Sequence, residues 1–68
     1  WLFDVLICVD KLRKTEFSLD DVYKFEPLLK AKHPQNNNIQ AKIRQQLQFL
    51  RDKNVIEFVR PGHYRLRS

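Results

Sequence analysis

The 68-residue sequence predicts an α+β fold of three helices and a short C-terminal β-hairpin. Three observations carry that expectation. Apolar residues recur at helical spacing in the first dozen positions and again between Ile39 and Leu50. Ser18 stands three residues ahead of Asp21, the spacing of a capped helix start. The closing run VIEFVRPGHYRLR places two strand-like segments on either side of a Pro-Gly pair, the pattern of a hairpin.

The first helix rests on Leu2, Val5, Leu6, Val9 and Leu12 and is expected to end near Lys14. Thr15 to Phe17 is too short for more than a bridging turn or a two-residue strand. Ser18 and Asp21 then form a capping box, with Phe17 and Val22 as the hydrophobic staple around it. Val22, Tyr23, Phe25 and Leu29 supply the inner face of this second helix. Pro27 interrupts it, because a proline inside a straight helix costs about 3 kcal/mol through its lost donor and its clash with the carbonyl of Tyr23. A kink or break is expected there, with Leu28 to Lys32 as a separate last turn. His33 to Asn36 is a linker marked by Pro34.

The third helix is expected to start at Asn37 or one residue either side, with Asn37 and Gln40 as cap and reciprocal partner. Its apolar stripe is Ile39, Ile43, Leu47 and Leu50. Arg51 and Lys53 suit the negative end of its dipole, and Asn54 can take the left-handed conformation that closes a helix. Val55 to Val59 and His63 to Leu66 read as antiparallel strands, with Ile56, Phe58, Tyr64 and Leu66 inward and Arg65 and Arg67 outward. Arg60 to His63 forms the tip. L-Pro followed by Gly suits a type II turn, which fits hairpin twist poorly, so a loop slightly longer than two residues is expected. Three helices, a short strand between the first two and a terminal hairpin are the order of a winged helix-turn-helix, in which the third helix enters the DNA major groove.

Composition limits what such a chain does. Sixty-eight residues make one small domain, expected over 1–68, with a modest core and no room for a catalytic cleft of normal size. The start at Trp1 reads as a piece of a longer protein. Lys and Arg number 13 against 8 Asp and Glu, for a net charge of +5. The excess is concentrated from Lys30 onward, where only Asp52 and Glu57 are acidic. A polyanionic partner explains that asymmetry, against the plainer reading of a basic soluble surface. The single Cys8 has no disulfide partner and lies in an apolar run, which fits a reduced, intracellular setting. No apolar run approaches a membrane span and no secretory pattern is present, so no membrane partner is expected.

At about 100° per residue, the side of the third helix opposite its stripe centres near Asn38, Ala41, Gln45 and Gln48. Base contacts in helix-turn-helix proteins come from the N-terminal part of this helix. Asn37, Asn38, Ala41, Lys42 and Gln45 are therefore the candidates for base reading. Arg44, Gln48, Arg60, His63 and Arg65 are the candidates for the DNA backbone. Each of them alone is equally well explained as a solvated side chain; the cluster is the signal. Gln46 lies near the core edge and suits a bond to the backbone of a neighbouring helix. Asn36 suits turn chemistry, Tyr64 suits core packing, and Trp1 suits a contact at a domain boundary.

The run IQAKIRQQLQFLRDKNVIEF, with SLDDVYKFE before it and PGHYRL after it, resembles the C-terminal winged-helix domain of the DpnI-type restriction endonucleases, also called Dam-replacing proteins. The likeness covers nearly the whole chain. It implies a domain that binds duplex DNA at GATC containing N6-methyladenine; the two methyl groups of that site lie on adjacent base pairs within reach of one helix, so a monomer is expected. It also implies a parent chain, prokaryotic or phage and cytoplasmic, that carries a separate nuclease domain. Through the matching segment the recognition helix of the family falls on Asn37 to Gln48.

Catalytic and metal chemistry find no support in the sequence. His33 and His63 are isolated, Cys8 has no partner at ligand spacing, and Asp20 and Asp21 read as helix N-terminal charge. Glu57 with Arg60 lacks the lysine and the acidic strand of a nuclease motif. No catalytic residue, cofactor or metal is expected. Two rival readings remain: a winged helix that docks onto protein, and a DNA-binding regulator unrelated to restriction.

Overall fold

The computed structural model describes residues 1–67. Ser68, the last residue of the expected 1–68 domain, lies outside the described residues. The elements are α1 (Leu2–Lys11), β1 (Glu16–Ser18), α2 (Leu19–Tyr23), α3 (Glu26–Lys32), α4 (Ile39–Asp52), β2 (Ile56–Arg60) and β3 (His63–Leu66). The sequence-predicted third helix is thus α4. The three strands form one antiparallel sheet in the order β1-β3-β2. This is the winged-helix arrangement, with α4 packed against α1, α2, α3 and β2.

α1 stops at Lys11, short of Lys14. Arg13 takes a positive φ of 56°, and this left-handed residue turns the chain toward β1. β1 is a three-residue strand, one longer than expected. It pairs Glu16, Phe17 and Ser18 with Arg65, Tyr64 and His63. Its partner lies far along the chain, so local sequence carries no trace of the pairing.

The start of α2 is built as its sequence demands. The Asp21 amide donates to Ser18 Oγ at 3.2 Å, and the Ser18 amide donates to Asp21 Oδ2 at 3.0 Å. Phe17 and Val22, the staple pair, are both buried. Pro27 does break the helix. The break leaves α2 ending at Tyr23 and puts Pro27 in the first turn of α3 rather than before it. There no intrahelical donor is needed, so the proline is tolerated and α3 begins at Glu26 instead of Leu28.

The α4 cap is Asn38, not Asn37. Asn38 Oδ1 accepts from the Ala41 amide at 3.2 Å, while Asn36 Oδ1 accepts from the Asn38 amide at 2.7 Å. Gln40 is no capping partner; its amide donates to Glu26 Oε1 at 3.2 Å. Asn54 closes the helix with a φ of 63°, as its type allows.

The hairpin tip also departs from expectation. Only Pro61 and Gly62 separate the strands, and Gly62 has a φ of 77°, which suits a type II turn. The misfit between this turn and strand twist is absorbed in β2: the register shifts between Phe58 and Arg60, leaving Val59 as a bulge. The Gly62 carbonyl accepts from the Leu19 amide at 2.8 Å, fastening the turn to the start of α2.

Val5, Val9, Phe17, Val22, Leu29, Ile39, Ile43, Leu47, Leu50 and Ile56 fill the core, together with Cys8. Each such aliphatic side chain contributes about 1.5–3 kcal/mol by leaving water. The four apolar residues of α4 lie at the centre of this cluster, which fixes the rotation of the helix about its axis and hence which side it turns outward.

Candidate nucleic-acid interface

Burial on α4 falls on Ile39, Ile43, Gln46, Leu47 and Leu50. Ala41 and Gln48 therefore lie opposite the core, with Gln45 and Arg44 to either side. Gln45, Arg44 and Gln48 are exposed, and Ala41 and Lys42 are half-buried. The first turn of the helix carries no acidic residue, and Asp52 at its far end is its single acid. The outward surface thus offers amides, a small methyl group and cations.

The base-reading candidates occupy different places. Ala41, Lys42 and Gln45 stand in the first two turns of α4. Asn38 has its carbonyl oxygen committed to the cap, which leaves its amide nitrogen to donate. Asn37 precedes the helix and faces an open groove of ≈ 410 Å³ shared with Tyr23, Lys30 and Ile39. Lys42 leans toward α1, where its Nζ lies 5.9 Å from the centroid of the Trp1 ring.

The backbone candidates divide more sharply. Arg60 is exposed beside the hairpin turn, with no carboxylate partner among the described residues. Arg44 is exposed and donates to the Tyr23 hydroxyl at 2.8 Å. Arg65 lies on the outer sheet face, 2.9 Å from Glu57 and 3.8 Å from Glu16, so two carboxylates offset its charge. His63 pairs across from Ser18 and borders a shallow depression with Glu16 and Asp21. Those acids make it a weaker seat for phosphate than Arg60.

Gln46 is 4 % exposed, as its place at the core edge suggests. Its amide donates to Gln45 Oε1 at 3.3 Å rather than to a neighbouring helix, so it steadies a candidate readout residue.

Several supporting residues were not legible in the sequence. Lys30 Nζ donates to the carbonyls of Pro34 (3.0 Å) and Asn36 (2.7 Å), clamping the loop that delivers α4. Its partners are backbone groups, so no residue pattern announces it. Along the flank of α4 nearest the hairpin, Arg44, Leu47, Gln48, Arg51, Phe58 and Tyr64 line a cleft of ≈ 230 Å³ between helix and hairpin. Phe58 points to the inner side of the sheet, yet half of it is exposed there. Burial pushes the Tyr64 phenol above its usual range, while the nearby Arg51 and Arg44 charges pull it down. Cys8 is 1 % exposed and burial raises its thiol, which suits a packing residue.

No helix among the described residues is long and apolar enough to cross a membrane. A cationic, amide-rich exposed helix, with a hairpin that carries an exposed arginine beside its turn, is the apparatus of a helix-turn-helix DNA-binding domain. Residues 1–66 match the family model described as the Dam-replacing HTH domain, DpnI_C. The chain belongs to that family, and DNA binding is its function.

Proposed function

We propose that the domain reads N6-methyladenine in duplex GATC through α4 in the major groove, as the target-recognition module of a methyl-directed restriction endonuclease. The observation that supports this most is the position of Ala41. It places a small apolar side chain on the outward side of the first turns of α4, flanked by Lys42 and Gln45.

Methylated adenine requires such a surface. Its remaining N6 hydrogen is used in base pairing, so the usual bidentate bond from Asn or Gln to adenine N6 and N7 is blocked. The methyl group projects into the major groove and favours apolar contact. Ala41, with the methylene stem of Lys42 or Gln45, supplies it. The ammonium of Lys42 and the amides of Asn38 and Gln45 then reach guanine O6 and N7 or thymine O4. In GATC the two methyl groups lie on adjacent base pairs of opposite strands. One helix reaches both, so a monomer suffices. Arg44, Gln48 and Arg60 hold the sugar-phosphate backbone on either side, and His63 and Arg65 stand behind them. A nuclease domain elsewhere in the parent chain performs the cut.

The test is a titration with fully methylated, hemimethylated and unmethylated GATC duplexes at fixed salt. Burying one methyl is worth on the order of 0.8 kcal/mol, so roughly fourfold tighter binding per methyl group is expected. Equal affinity for all three duplexes overturns the reading.

A further inference from the structure

We infer that the cleft between α4 and the hairpin is a phosphate seat, in which the Tyr64 hydroxyl, Arg44 and Arg51 hold one phosphodiester of the bound duplex while Phe58 packs on its deoxyribose. The inference rests on duplex binding by α4, and is independent of any preference for methylation.

The cleft lies on the same side of the domain as the outward surface of α4. Gln48 belongs to both, and Arg44 and Arg51 flank it along the wall, each about one turn from it. Its floor is Leu47 and the ring of Tyr64, and Phe58 stands edge-on to that ring at 6.2 Å. The Tyr64 ring is fixed from behind by stacking on buried Phe17 at 5.6 Å. Among the described residues no side chain hydrogen-bonds the Tyr64 hydroxyl, although Arg44 and Arg51 line the same cleft. The Tyr23 hydroxyl accepts from Arg44 and so steadies that guanidinium beside the cleft. Among the described residues the Arg51 guanidinium has Asp52 as its one charged partner, at 3.5 Å and in solvent, a contact too long and too exposed to hold it.

Two guanidinium groups and a phenol on one cleft with an apolar floor describe a site for an anion that carries an apolar neighbour. A phosphodiester with its sugar is such a group. A duplex whose major groove receives the N-terminal half of α4 carries one strand past the helix flank toward the hairpin, and this cleft lies on that path. Arg and Tyr contacts of this kind fix register without reading sequence. They therefore set how deeply Ala41 and Gln45 enter the groove.

Two variants test the seat in the 68-residue chain. Arg51→Gln removes the charge at an exposed position, and Tyr64→Phe removes one oxygen and keeps the stacked ring. Affinity is measured against methylated and unmethylated GATC duplexes at several salt concentrations, with folding checked by circular dichroism. Each variant is expected to weaken both duplexes by the same factor, about tenfold for Arg51→Gln. The logarithmic salt slope of Arg51→Gln is expected to become shallower by about 0.9, the loss of one phosphate contact. Unchanged affinity and slope in both variants overturn the phosphate seat, as does a loss confined to the methylated duplex, which would make the cleft a base reader. A wild-type chain indifferent to methylation would sink the methyl-reading proposal and leave this one standing.

Discussion

The Nζ of Lys42 lies 5.9 Å from the centroid of the Trp1 ring, so this base-reading candidate of α4 rests on the start of α1. Trp1 is held in turn by stacking on His33, with ring centroids 3.9 Å apart. A cation over an indole is worth about 0.5–1 kcal/mol where water still reaches the pair, as it does at these two half-buried residues. Trp1→Ala is expected to weaken duplex binding a few-fold by releasing Lys42. A double-mutant cycle with Lys42→Ala checks this, and the two losses are expected to be less than additive by about 0.5–1 kcal/mol. Full additivity would show that the ring does not position the lysine.

His33 is anchored by Asp4, whose Oδ2 lies 2.7 Å from His33 Nε2, and Lys32 reaches Asp4 Oδ1 at 3.3 Å. The hydrogen bond from His33 does most to hold the Asp4 carboxyl below its usual range; partial burial opposes it, and Lys32 reinforces it. A depressed carboxylate contributes stability that is present above its unfolded value, about 3.9, and lost as pH falls through the folded value. Urea midpoints are thus expected to drop in the acid limb below about pH 4. Asp4→Asn should cost about 1 kcal/mol at neutral pH and flatten that limb. Some acid slope will persist, because the Ser18 amide, opposed by partial burial and helped by Lys14, lowers Asp21 in the same sense. An acid limb that keeps its full steepness in Asp4→Asn contradicts the assignment.

Lys30 gives a third expectation. Its two bonds to the Pro34 and Asn36 carbonyls tie α3 to the segment that leads into α4. Lys30→Met keeps the apolar stem and removes the donor. At this exposed site about 1 kcal/mol of stability should be lost. Hydrogen exchange should speed up at Asn36 to Asn38, with weaker duplex binding and an unchanged ranking of duplexes. Unaltered exchange in that segment would reduce Lys30 to a solvated side chain.

Much of this architecture was legible in the residues. Ser18 and Asp21 cap α2 because their chemistry is local, and the stripe Ile39-Ile43-Leu47-Leu50 sets the rotation of α4 because the core must cover it. What escaped depends on partners distant in the chain. β1 exists only through β3, and the Val59 bulge follows from a turn geometry that dipeptide preference names but does not place. The cap moved from Asn37 to Asn38 because three consecutive asparagines are equivalent to a local rule, and the Asn36 side chain then chose among them. Within the candidate interface, the outward positions of Gln45 and Gln48 followed from periodicity. The offset of Arg65 by Glu16 and Glu57 required the sheet register, and the Arg51 to Tyr64 cleft required the packing of α4 on the hairpin.

The orientation of α4 on the duplex is tested most directly by following backbone amide and side-chain NMR resonances of the chain as methylated GATC duplex is added. The largest changes are expected at Ala41, Lys42, Gln45, Gln48 and Arg60, with Phe3 and Ile7 on the far side of α1 unmoved. Changes centred on Phe3 and Ile7, with α4 silent, would contradict the account.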